Sequence, residues 1–400
     1  MGSSAKEPLG ITLAFLVQRI GPYHHARLGA LAADLTLSVH AIEFRPGEMI
    51  YSWDPVVERG PYKRHQSLFA SELTNVLDEI RPDVIVCVGY ADREIHRAAA
   101  WAMRHGVPLV TCSDSTYDDE PRSAIKETLK RLVLSAFDSA LVAGSRSQDY
   151  LRTLGMNGAA RFRPWDVVDN SHFERGADAA RHAQAETRFR LKLPARYFIC
   201  TARFVAKKNL DVLLDAYARY ASQAGKSTLS LVLLGGGPLE GDLRMRVAAA
   251  GLEALVCFPG FIQYPELPAF YGLAETLILP SASDQWGLVV NEAMAAGLPV
   301  LVSSRCGCAP DLVCEGENGY TFEPNEAAAL AVMLGRIADM DPDRLSGMGR
   351  RSREIVAAYT PGAFAAGLRA AMDFARTRSP RRRRLLARAA VGALAVLTPR

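Results

Sequence analysis

The sequence contains no stretch of about 18 uninterrupted apolar residues, so nothing in it reads as a membrane-spanning helix. It has no CxxC pair and no clustered histidines. Cys306 and Cys308, with Cys314 nearby, therefore stand without the partners a metal site needs, and no metal is expected. The seven cysteines are scattered and odd in number, which fits reduced thiols better than a disulfide framework. Neither a GxxxxGKS/T loop nor a GxGxxG loop occurs, which argues against P-loop and dinucleotide chemistry. A basic-then-apolar leader is missing too, and MGSSAKEPLG reads as a flexible start. Charge of one sign is scarce: a formal net charge of +4 says little about partners, and no nucleic acid is expected among them. The excess is local, with Arg376, Arg378, Arg381, Arg382, Arg383, Arg384 and Arg388 gathered in the tail.

What is present is an ordinary globular composition, 49% hydrophobic and 22% charged, in a chain long enough for two or three domains of roughly 100–200 residues. Ile11 to Val17 is a continuous apolar run suited to a buried parallel strand. A loop containing Gly21 follows, then a helix from near His25. Glycine loops after the first strand of such a domain commonly face a ligand, which makes Gly21 a donor-binding candidate and Tyr23, His24, His25 and Arg27 candidates for the acceptor side. A surface loop with two solvated histidines is the alternative. Next come a strand over Leu35 to Phe44, a polar aromatic loop around Tyr51 to Tyr62, and a helix around His65 to Ile80. Strands at Val84 to Val88 and Pro108 to Thr111 continue an alternation typical of a doubly wound α/β domain. The polar cluster Ser113 to Glu120 sits beyond a strand end. Asp114 is the acid or base candidate there, or else a helix cap. The stretch from Arg161 to Arg190 is charged and poorly apolar, and it suggests a boundary around residues 170–190.

The second half repeats the pattern. After the strand at Tyr197 to Thr201, Arg203 and Lys208 flank one loop; two fixed cations suit a diphosphate. Gly235, Gly236 and Gly237 follow the next strand, where glycine lets backbone approach an anion or simply makes a tight turn. Thr276 to Leu279 is a buried strand. It leads through Ser281–Gly287 to a helix at roughly Leu288 to Ala296, closed by Gly297. Asp284 in that loop and Glu292 in the helix can accept hydrogen bonds from hydroxyls while the helix start faces phosphate. Because each group follows a strand of one sheet, all should gather at one edge.

These segments resemble a known family. ARFVAKKNLDVLLDAY, LVLLGGGPLE, FPGFI, SASDQWGLVVNEAMAAGLPV and EGENGYTFEPN occur in the order and spacing of the donor domain of family-4 retaining glycosyltransferases, over roughly residues 197–325. The first half is similar more loosely. The resemblance implies a GT-B fold: two Rossmann-like doubly wound domains facing a crevice, with an acceptor-side domain over 10–175, a nucleotide-sugar domain over 185–362, and a terminal helix and tail over 363–400. It implies metal-independent transfer, with retention, from a UDP- or GDP-linked sugar to a glycan, lipid-linked or small-molecule acceptor. Glu292 would contact the ribose and Asp284 the sugar. Arg203 and Lys208 would hold the diphosphate, with Trp286, Gly287 and Leu288 beside it and no cofactor beyond the donor. Two positions depart from the family pattern: 284 is Asp where Glu is usual, and 286 is Trp where Phe is usual. A sugar-nucleotide epimerase and a non-catalytic binding protein are the alternatives. A cytoplasmic setting is expected. For the tail, two readings stay open: Arg381–Arg384 before the apolar Leu385–Leu397 suits a peripheral contact with anionic lipid, and a helix packing back on the first domain suits it as well.

Overall fold

The protein is described by a computed structural model over residues 10–45, 53–56, 60–67, 70–377 and 385–397. These form two compact α/β units. Unit 1 holds the chain through Val167 and again from Pro361, and unit 2 runs from Val168 to Thr360.

Unit 1 carries β1 (Ile11–Val17), β2 (Leu37–Glu43), β3 (Lys63–Gln66), β4 (Val84–Val88), β5 (Leu109–Ser113), β6 (Ser139–Val142) and β7 (Arg161–Phe162). They lie in the order β3-β2-β1-β4-β5-β6-β7, every pair parallel. Its helices are α1 (Pro22–Ala32), α2 (Ala70–Ile80), α3 (Arg93–His105), α4 (Ala124–Leu134) and α5 (Ser145–Thr153). All residues of β1 except Thr12 are buried, as a strand with helices on both faces requires.

Unit 2 begins with α6 (Asn170–His182) and α7 (Gln184–Leu191). Its strands are β8 (Tyr197–Thr201), β9 (Ser230–Leu234), β10 (Val256–Gly260), β11 (Thr276–Leu279), β12 (Val300–Ser303) and β13 (Gly319–Phe322). They form one parallel sheet in the order β10-β9-β8-β11-β12-β13. Between them run α8 (Leu210–Ala224), α9 (Glu240–Ala249), α10 (Leu267–Gly272), α11 (Leu288–Ala295) and α12 (Ala309–Leu312), with α13 (Ala327–Ala338) and α14 (Pro342–Val356) after the last strand. Two helices, α15 (Pro361–Thr377) and α16 (Leu385–Leu397), then return to unit 1.

Two expectations need correction, and one open reading is decided. His65 is not helical: Lys63–Gln66 forms an edge strand whose residues Arg64 and His65 stand opposite Ala41 and Ile42, and the helix starts only at Ala70. Residues 170–190 are not a linker. Phe173, Ala177 and Ala180 recur at i, i+4 and i+7, bury one face of α6, and pack it on α10 and α11. The divide between units therefore falls before α6, at Val167/Val168. In the tail, Ala387 and Val391 of α16 are buried in the core of unit 1, and the helix packs on α3 and α4. Arg378 and Arg381–Arg384 lie outside the described residues, as do Tyr51 and its neighbours. Among the described residues no helix is long and apolar enough to cross a membrane.

Candidate functional site

In unit 2 the chain winds outward from β8 to β9 and β10 on one side, and from β11 to β13 on the other. The β8/β11 junction is thus a switch point, where the loops after two adjacent strands diverge and leave room for a ligand. Arg203 and Lys208 stand on the loop after β8, and Asp284 stands on the loop after β11. The two loops are stapled together. Ala282 donates its backbone N–H to the Lys207 carbonyl at 2.9 Å. The Asn209 amide donates to the carbonyls of Pro280 at 3.2 Å and Pro324 at 2.7 Å. On this frame the Lys208 ammonium makes a charge-assisted hydrogen bond to Asp284 Oδ2, which Ser281 Oγ also approaches at 3.4 Å. Both groups keep a partly open face, with side-chain exposures of 15% and 13%. A lysine so placed is oriented by one carboxylate while its remaining protons can serve an anion.

Gly287 precedes α11 at φ +101, a conformation that L side chains seldom adopt, and a Cβ there would lie 2.7 Å from Leu279 Cδ2. That turn starts α11 just after the sheet edge, where a helix start leaves its first backbone N–H groups, such as that of Leu288, without intrahelical partners. The structure places Glu292 inside α11, as expected. It is the fifth residue of the helix, and it is only 1% exposed. The Tyr271 hydroxyl donates to its Oε2 at 2.6 Å. Burial and that carboxylate together raise the Tyr271 pKa well above its ordinary value. Trp286 likewise turns inward: it is 2% exposed, donates Nε1–H to Asn291 Oδ1 at 2.9 Å, and lies against Tyr359. Only its backbone remains for a ligand.

The glycine loop has a reason inside the fold. A Cβ on Gly235 would stand 1.9 Å from the Ala202 carbonyl oxygen, and one on Gly237 would stand 2.7 Å from that of Phe204. Phe204 N–H bonds the Gly236 carbonyl at 2.8 Å, and Gly235 N–H bonds that of Gly260 at 2.9 Å. The loop is therefore pressed against the Arg203 loop and fixes its course. Cys306 and Cys308 are buried and not disulfide-bonded. Gly307 N–H bonds the Asp284 carbonyl at 2.9 Å, so this segment backs the Asp284 loop. A cavity of about 380 Å³ opens at the amino ends of β11 and β12, away from these loops. Its Arg181 and Arg353 are both engaged by Asp178, at 2.8 and 2.6 Å.

In unit 1 the switch point lies between β1 and β4. Gly21 caps α1 there, with open space around its Cα. Gln18 bonds Asp92 at 3.1 Å across the junction, and Arg45 pairs with Asp92 at 2.9 Å. Asp114 follows β5, is partly exposed, and accepts at its carbonyl from Ser147 Oγ at 3.0 Å. Arg27 is not on the surface. It is buried, pairs with Asp166 at 3.3 Å, donates to the Val167 carbonyl, and lies 4.4 Å from the Trp165 ring. It ties α1 to the end of the first segment of unit 1. Burial, and to a lesser degree Arg27, hold His24 down to about 3, so it is a neutral ring. His25 exchanges a hydrogen bond with the Tyr62 hydroxyl at 2.9 Å.

Residues 184–354 match the family model for glycosyl transferases group 1. The chain is 30% identical over 208 residues to the GDP-mannose-dependent alpha-(1-6)-phosphatidylinositol monomannoside mannosyltransferase of Mycolicibacterium smegmatis, which covers 49% of this chain and 53% of that protein. It is 32% identical over 168 residues to the D-inositol 3-phosphate glycosyltransferase of Arthrobacter, covering 41% and 39%. The chain thus spans about half or less of these relatives. Among solved structures it is similar to Anabaena Alr3699/HepE in complex with UDP and glucose (TM-score 0.68, 16% identity, 90% and 98% of the two chains). Sucrose-phosphate synthase from Thermosynechococcus elongatus is another (TM-score 0.70, 20% identity, 90% and 97%). With two parallel-sheet Rossmann-like units and these neighbours, the chain has the GT-B fold.

Proposed function

We propose that the protein transfers a sugar from a nucleotide diphosphate sugar to an acceptor hydroxyl, with retention and without a metal ion. The observation that carries this reading is the Lys208–Asp284 pair at the β8/β11 switch point, beside Arg203 and the start of α11. As the bond from the anomeric carbon to the diphosphate oxygen breaks, negative charge grows on the leaving group. Arg203, Lys208 and the α11 N–H groups meet that charge. The departing phosphate oxygen takes the proton of the acceptor hydroxyl as the new glycosidic bond forms on the same face. Asp284 holds Lys208 and offers its other oxygen to a sugar hydroxyl, and Glu292, released from Tyr271, serves the ribose. Asp114 in unit 1 is the acceptor-side residue of this scheme. One named relative is GDP-mannose-dependent and one neighbour is a complex with UDP and glucose, so the donor proposed here carries one of these nucleotides.

The competing reading is nucleotide-sugar binding without turnover. It draws on Asp284, whose arm is one methylene shorter than the usual glutamate and is already engaged by Lys208. A screen of UDP- and GDP-sugars against mixed glycan and lipid acceptors, read by product mass, separates the two. One sugar increment on an acceptor supports transfer. Binding with no mass gain on any acceptor supports the competitor.

A further inference from the structure

The cavity of about 380 Å³ at the amino ends of β11 and β12 lies wholly within unit 2. It sits at the other end of α11 from the Asp284 loop, and its volume is that of a small-molecule site, roughly 300–1,000 Å³. Close backbone approach builds its wall. A Cβ on Gly349 of α14 would stand 2.1 Å from the Gly297 carbonyl oxygen, and one on Gly297, at φ +82, would stand 2.9 Å from Arg353 Nε. Glycine at both positions lets α14 press on the turn after α11 and bring Arg353 to the cavity.

Three arginines reach this cavity, Arg181, Arg350 and Arg353, against two acids, Asp178 and Glu275. Asp178 serves two of the cations, accepting from Arg181 at 2.8 Å and from Arg353 at 2.6 Å. Glu174 stands 3.5 Å from Arg353, and Glu275 accepts from Arg196 at 2.8 Å. Arg181 Nη2 and Arg353 Nε also donate to the carbonyls of Ala296 and Ala295, at 2.7 and 3.2 Å, at the end of α11. A guanidinium carries five N–H donors, so these bonds leave Arg181 with donors to spend. Burial first, and then Arg353 beside it, lowers the Arg181 pKa, as expected of a desolvated cation next to another. Arg350 is exposed, and among the described residues it donates only to Ser346 Oγ, at 3.3 Å.

We propose that this cavity binds a small phosphorylated polyol, at a site separate from that of the donor. The phosphate takes Arg350 and the remaining donors of Arg181, since guanidinium forks match its oxygens. A bare anion would meet Asp178 and Glu275 and be repelled by them. The hydroxyls of a polyol instead donate to those carboxylates, while Leu298, Pro299 and Leu345 offer an apolar wall to its C–H groups.

Isothermal calorimetry of the full chain with glucose 6-phosphate, inorganic phosphate and glucose tests this. Glucose 6-phosphate is expected to bind saturably, at least about tenfold tighter than either of the other two. Arg350→Gln should weaken it about tenfold, through loss of one hydrogen bond to a charged group. Ser346→Trp, on an exposed position of the wall, should close the cavity and abolish binding. Lys208→Met should leave this binding unchanged, so its outcome is independent of the donor reading. Far-UV circular dichroism and a thermal melt check that the variants stay folded. No binding of glucose 6-phosphate, an affinity matched by phosphate or by glucose, or wild-type affinity in either cavity variant overturns the proposal. So does loss of binding in Lys208→Met, which would put the phosphate in the donor site.

Discussion

Lys208 is held by Asp284 rather than by solvent, so a change at either residue disturbs both. Lys208→Met removes the cation proposed to meet the diphosphate, and it should lower kcat/KM by about 10²–10³-fold, equivalent to roughly 3–4 kcal/mol. Steady-state kinetics with the donor found in the screen checks this; wild-type values would remove Lys208 from the site. Trp286→Phe restores the residue usual in the resembling family but strips the Nε1–H donor from Asn291, which is fully buried. The expected cost is about 1–3 kcal/mol of stability, measured by denaturant unfolding. Asp284, Arg203 and Lys208 were legible in the sequence because each is a charged residue just beyond an apolar strand. The surroundings of Glu292 were not. Its partner Tyr271 lies 21 positions earlier and reads locally as one more aromatic residue in a short helix. Asn209 was hidden for a similar reason: its bonds to Pro280 and Pro324 exist only once three loops meet.

The glycine loop after β9 turns this reasoning into a contrast within one element. Gly235 and Gly237 are required by close approach to the Arg203 loop, whereas a Cβ on Gly236 would meet nothing nearer than Glu240 Oε2 at 3.7 Å. Gly235→Ala should therefore displace the Arg203 loop, lower Tm and weaken nucleotide binding by tenfold or more. Gly236→Ala should stay near wild type in both. Equal effects of the two substitutions in a thermal shift and nucleotide titration would refute the account of the loop. Elements with an apolar run, such as β1 and β11, could be placed from sequence almost to the residue. The edge strand Lys63–Gln66 could not. It has no buried face to leave a hydrophobic pattern, and its pairing with β2 is what makes it a strand. Helix α6 was missed because Phe173, Ala177 and Ala180 form a narrow apolar stripe in a charged segment.

At the scale of the molecule, the two units differ in how they should meet acid. The histidines with lowered pKa values all belong to unit 1. His24 is held down to about 3 and His40 to about 4, and His65 and His96 are also lowered, each chiefly by burial. Such groups stay neutral in the folded state but take a proton near 6.5 when unfolded. Stability is therefore lost as pH falls from about 6.5 toward the folded values. Hydrogen exchange followed from pH 7 to pH 5, corrected for intrinsic rates, should show unit 1 amides losing protection before those of unit 2; the reverse order would contradict this. The return of α15 and α16 to unit 1 belongs to the same scale. The sequence shows an apolar segment after the arginine run, but only the packing against α3 and α4 decides between core and lipid as its partner.

The central claim is that unit 2 binds a nucleoside diphosphate through Arg203, Lys208 and the start of α11. It is tested most directly by isothermal calorimetry of the full chain with UDP and with GDP, beside Lys208→Met. The account predicts saturable binding of one of the two nucleotides, weakened at least about tenfold in the variant, a loss of 1.4 kcal/mol or more. No affinity for either nucleotide, or equal affinity in wild type and Lys208→Met, would contradict it.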